Sequence, residues 1–147
     1  AGMTDMTMAG GAGTPAYWPR EQITHYRYLH PATDVFSIAA VFYEILTGGW
    51  ARPGLQQMQE QCRARQRTAQ ISDYMRVIGD NPMKPLRSVL PYIPKPVGDV
   101  MDRALRETEV PIDESQMRKI LAELRYRDAA EFRDALAQAF RESGIAV

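Results

Sequence analysis

Three features of this 147-residue sequence predict an all-α fold. Residues 33–47 are apolar on every helical face, and apolar stripes recur at helical spacing through the last third of the chain. No two segments alternate apolar and polar residues in a way that suggests a strand pair. Five or six helices packed around residues 33–47 are therefore expected.

Residues 1–13 are rich in Gly, Ala, Met and Thr and hold Gly10-Gly11-Ala12-Gly13, the composition of a flexible loop. Pro15 and Pro19 bracket Tyr17-Trp18, which predicts an irregular but anchored segment. In residues 33–47, Val35, Phe36, Ile38, Val41, Phe42, Tyr43, Ile45 and Leu46 leave no polar face, so this helix is expected to be buried on all sides. Thr33 is expected to cap its start, and Gly48-Gly49 to end it. Residues 54–67 are Gln- and Arg-rich, with a thin stripe of Leu55, Met58 and Cys62. A short helix over 72–78 is expected to stop at Gly79. Pro82, Pro85, Pro91, Pro94 and Pro96 predict an extended connection over 80–96. Val97, Val100, Met101, Ala104 and Leu105 then repeat at helical spacing. Asp113 with Gln116, and Asp128 with Glu131, have the spacing of capping boxes ahead of two further apolar stripes.

Composition excludes several function classes. Lys plus Arg and Asp plus Glu are both 18, so the net charge is zero, which argues against a nucleic-acid binder working by bulk charge. The alternation of Arg63, Arg65 and Arg67 spreads them around a helix, as on a solvated surface. A single cysteine, Cys62, suits a reducing, cytoplasmic setting and no disulfide scaffold. His25 and His30 lack Cys or carboxylate neighbours at ligand spacing, so no metal site is expected. The longest apolar run, near residues 35–46, is shorter than the ~20 residues that span a bilayer, so no membrane segment is expected in this chain. Nor do the first residues have the pattern of a signal peptide. The first residue is Ala1 in place of Met, so a fragment or a processed product is expected.

Three blocks share one resemblance. Gly13-Thr14-Pro15-Ala16-Tyr17-Trp18-Pro19-Arg20-Glu21-Gln22 resembles the end of a protein-kinase activation segment, G-T-x-x-Y-x-A-P-E-x, with Pro19-Arg20 standing where the family has Ala-Pro. The stretch from Asp34 to Gly48, DVFSIAAVFYEILTG, is similar to the central helix of that family's C-terminal lobe. The stretch from Arg125 to Leu136, RYRDAAEFRDAL, resembles the R-Y-x-x-A-x-E-F-x-x-A-L run that opens the last helix in bacterial Ser/Thr kinases. Residues 54–80 and 107–124 match poorly.

The resemblance implies a partial kinase domain over 1–147. Its parts would be the activation-segment end at 1–22, the central buried helix at 33–47, middle helices at 54–106, an atypical insertion at 107–124 and the last helix at 125–142. The Gly-rich loop, the strand lysine, H-R-D and D-F-G are absent from the sequence. No catalytic residue is therefore expected here, and the chain should bind neither ATP nor Mg2+. Both would belong to the intact parent kinase, whose reaction is phosphorylation of protein Ser or Thr. The implied partners are a protein substrate and the N-terminal lobe and catalytic loop of that parent.

By the same resemblance, Thr14 would contact the catalytic loop, and Pro15, Ala16 and Tyr17 would shape the pocket for the residue after the phosphoacceptor. Thr4 and Thr7 would be phosphorylation sites. Glu21 would form a buried ion pair with Arg125, since a guanidinium fork matches a carboxylate with two bonds. Asp34 would accept backbone N–H bonds from the catalytic loop, and by position it also suits a helix N-terminus. Two other readings stay open: a non-catalytic, pseudokinase-like helical binding module, and an unrelated helical adaptor using residues 54–67 to bind an acidic partner.

Overall fold

The computed structural model describes residues 14–25, 30–109 and 113–147. Thr4 and Thr7 lie outside the described residues. Among the described residues the fold is all-α, with no strand. After a 3-10 turn at Pro15–Tyr17 come α1 (Glu21–Thr24), α2 (Pro31–Thr47), α3 (Leu55–Ala64) and α4 (Ile71–Asp80). Next are α5 (Leu86–Val89), α6 (Lys95–Ala104), α7 (Glu114–Leu124) and α8 (Ala129–Glu142).

The hub is α2, which touches α6, α7, α8 and the 3-10 turn. Its Val35, Phe36, Ala39, Ala40 and Tyr43 form the main core with Leu86, Met101, Ala104, Leu105, Tyr126 and Phe132. A second cluster holds Ala16 against Leu55, Met58, Cys62 and Val77. In a third, Met117 and Leu121 of α7 pack on Ala32 at the start of α2. Residues 114–124 thus add to the core through a buried pair of side chains.

Several expectations change at the level of individual residues. The α2 helix starts at Pro31, two residues early, because proline at the first helical position gives up an N–H that would have no helical partner. Thr33 is therefore not the cap, and its hydroxyl is buried with no hydrogen-bond partner among the described residues. Gly48 ends α2 at φ 74°, a left-handed conformation that glycine adopts without a Cβ clash. The α2 helix is not buried on all sides. Asp34, Ile38, Val41 and Ile45 form one exposed stripe, with Ile45 72% accessible.

The α4 helix runs through Gly79 to Asp80, and the Pro-rich connection contains the single-turn α5. Gly98 of α6 faces α5 closely enough that a Cβ there would lie 2.8 Å from the Arg87 side chain. Both expected capping boxes are half-formed. Asp113 accepts from Ser115 N and Asp128 from Glu131 N, without the reciprocal bond in either case. The complete box is at α4, where Gln70 caps and Asp73 answers.

Asp73 also accepts from Arg67 at 2.7 and 3.0 Å, so one arginine of the 63–67 set is committed to an intramolecular pair. These bonds, with that from Gln70 N, hold the Asp73 carboxyl well below the usual carboxylate range. A depressed folded pKa gives stability that is present above the unfolded value of about 3.9 and lost as pH falls towards the folded one. Asp73→Asn is therefore expected to lower stability at neutral pH and to flatten its loss below about pH 4. Urea midpoints across pH 2–7 measure this, and parallel curves for the two proteins would contradict it.

Candidate functional site

The segment from Thr14 to Gln22 is fastened at several points by contacts with distant elements. Within the 3-10 turn, Tyr17 N bonds to Thr14 O, and Pro15 supplies the fixed φ that starts the turn. Ala16 is buried in the α3–α4 cluster with Leu55, Met58, Cys62 and Val77, where a larger side chain is expected to overpack the core. Tyr17 stacks on Trp50 with ring centroids 6.2 Å apart, and its hydroxyl donates to the Glu44 carboxylate. Ser37 Oγ donates to Tyr17 O at 3.0 Å, tying the turn to α2.

The Tyr17–Glu44 bond, aided by burial and by the Glu44 charge, pushes the tyrosine pKa up to about 12. Its neutral form therefore stabilises the fold below the ordinary value near 10, and that contribution is lost as pH rises through about 12. Ultraviolet titration against Tyr17→Phe should reveal one tyrosine ionising at about pH 12 that the variant lacks. A variant that instead lacks a tyrosine ionising near the ordinary value of about 10 would show Tyr17 to be solvated.

Two buried ion pairs anchor the chain on either side of α1. Glu21 and Arg125, 104 residues apart, form a two-pronged bridge, with Arg125 Nη2 donating to Glu21 Oε2 at 3.1 Å. Both are buried. Arg125 also donates to Ala32 O at 3.2 Å and Arg106 O at 2.7 Å, and its guanidinium lies 4.9 Å from the Phe36 ring centre. One side chain thereby joins α1, α2, the end of α6 and the loop before α8.

The second pair, Arg52 with Glu107, was not foreseen from the sequence. Arg52 donates to both Glu107 oxygens at 2.7 and 2.8 Å, and to Asn81 O and Trp18 O. Glu107 in turn accepts from Arg20 N at 2.8 Å. Arg20 thus uses its backbone N–H and its Nε, the latter on Ile78 O at 3.2 Å.

The remaining sequence-predicted residues are more open. Thr14 is exposed and its side chain makes no capping bond. Asp34 is exposed in the first turn of α2, where a carboxylate suits the helix dipole. His25 is buried beside Thr24 Oγ1, 2.7 Å from its Nδ1, and its Nε2 lies 3.9 Å from Glu114. Among the described residues no group of three or more His, Cys, Asp or Glu is placed to hold a metal. Among the same residues no helix is long and apolar enough to cross a membrane.

The chain matches no family model, no curated protein and no solved structure.

Proposed function

We propose that this chain is the helical, substrate-side part of the C-terminal lobe of a Ser/Thr protein kinase-like domain, inactive by itself. The observation that carries the reading is the buried Glu21–Arg125 bridge. Local structure does not bring residues 104 positions apart together, and the kinase resemblance is what pairs them. Two further features support it. Pro15, Ala16 and Tyr17 are rigidly seated on α2 and α3, as a pocket that positions a peptide requires. The exposed stripe of Ile38, Val41 and Ile45, with Asp34 at its head, suits a face that the catalytic loop and its helix would cover in a whole kinase domain.

In this reading Asp34 meets catalytic-loop N–H groups, Thr14 meets the catalytic loop itself, and a protein substrate lies along Pro15–Tyr17. ATP and Mg2+ bind to parts that this sequence does not contain. The test has two parts. Calorimetry on residues 1–147 with ATP and Mg2+ should give no saturable binding, and saturation at micromolar nucleotide would overturn the reading. The coding sequence upstream of Ala1 should specify H-R-D and then D-F-G. A kinase-like upstream region in which both are replaced would turn the conclusion to a non-catalytic, pseudokinase-like binding module. An unrelated upstream region would overturn the kinase assignment altogether.

A further inference from the structure

A cleft of about 290 Å3 opens between segment 82–85 and the C-terminal end of α6. Three cations line it, Arg20, Lys84 and Arg106, with two carboxylates, Asp102 and Glu107. Both carboxylates are already committed. Glu107 is gripped by the Arg52 fork behind the cleft and by Arg20 N. Asp102 accepts from Leu86 N at 2.9 Å, holding the start of α5. Lys84 and Arg106 are exposed, and neither forms an ion pair with any described residue. Arg20 Nε also lies 3.9 Å from Glu107, and the backbone bond to Asp102 leaves its charge in place, so the three cations exceed the two carboxylates by one positive charge, which an incoming anion would balance.

We propose that this cleft binds an oxyanion carried on a polypeptide partner, the carboxylate or phosphate of one acidic side chain. A guanidinium on one wall and an ammonium on the other suit the oxygens of either group. The wall is preformed, because Pro82 and Pro85 fix their φ angles and Lys84 N is tied to Ala51 O. Met83 and Leu105 add apolar lining. That lining favours the methylenes of an attached side chain over a free, fully hydrated ion. The inference does not depend on the kinase reading, since the cleft and its charges stand whatever the parent protein is.

Fluorescence anisotropy on the full chain tests it with three labelled octapeptides. One carries two adjacent glutamates, the second phosphoserines at those positions, and the third glutamines. Saturable binding of the first two and none of the third is expected. Lys84→Ala with Arg106→Ala should weaken binding about tenfold or more, the loss expected for a charge-assisted hydrogen bond. Arg118→Ala with Lys119→Ala removes the same charge from the exposed face of α7 and should leave binding unchanged. Circular dichroism melts check that both double variants fold. Four outcomes would overturn the proposal: glutamine peptide binding as well as glutamate, equal losses in the two double variants, no binding at millimolar peptide, or inorganic phosphate competing as strongly as the phosphopeptide.

Discussion

Glu21→Ala is expected to cost about 3–5 kcal/mol of folding stability, and Arg125→Ala as much, because each strands a charge inside the protein. Arg125 is wholly inaccessible and Glu21 is 1% accessible, so water cannot solvate the survivor. Losing Arg125 also frees the Ala32 and Arg106 carbonyls from their bonds, so it should be the worse of the two. The double variant should cost less than the sum, leaving a coupling well above the ~0.5 kcal/mol scatter of independent sites. Arg125→Lys should recover little, since an ammonium cannot reproduce the two-pronged bond or reach the carbonyls as well. Urea unfolding of the four proteins in the cycle and of Arg125→Lys measures all of this. Additive single effects near zero would mean that the two side chains are apart and solvated.

Arg52→Ala is expected to have an effect of the same size, about 3–5 kcal/mol, although no sequence pattern marked that residue. Its guanidinium links four places: the Trp18 carbonyl, the end of α4, the Asn81 carbonyl and Glu107. Removing it leaves Glu107, only 7% accessible, without its main counter-charge. Arg52→Met combined with Glu107→Leu should recover part of the loss, because apolar side chains of similar volume replace a buried pair at little cost. Recovery should stop short of the wild type, since the carbonyls that Arg52 served lose a donor in the double variant too, at about 1–3 kcal/mol for each one left unbonded. Thermal or urea unfolding is again the measurement. A double variant as unstable as the worse single one would show that the carbonyl bonds, rather than the ion pair, dominate.

The helical class was legible because periodicity is a local property. The stripes at 55–62, 97–105, 117–124 and 132–140 each fall on a helix whose buried residues include members of the stripe. Element ends were less legible because they depend on competition between neighbours. Pro31 outcompeted Thr33 as the start of α2, and Gly79 stayed helical because Val77 and Ile78 beside it are buried. Gln70 is not a residue type that announces a cap, so the reciprocal box at α4 went unseen. The all-round apolar pattern of α2 described what the helix could bury, and the described residues cover only part of it. The meeting of Glu21 with Arg125 was reachable only through the kinase resemblance. Arg52 and Glu107, 55 positions apart, had no such guide, since Glu107 opens the stretch that matched poorly.

The two bridges also bear on how long a folded molecule lasts. Each joins segments far apart in sequence, so each is expected to close late, after the local helices it ties together. Contacts made after the folding barrier leave the folding rate almost unchanged and slow the escape from the native state. Glu21–Arg125 and Arg52–Glu107 are therefore expected to act on lifetime more than on speed of assembly. A chain lacking either would reach its native form about as quickly and abandon it sooner.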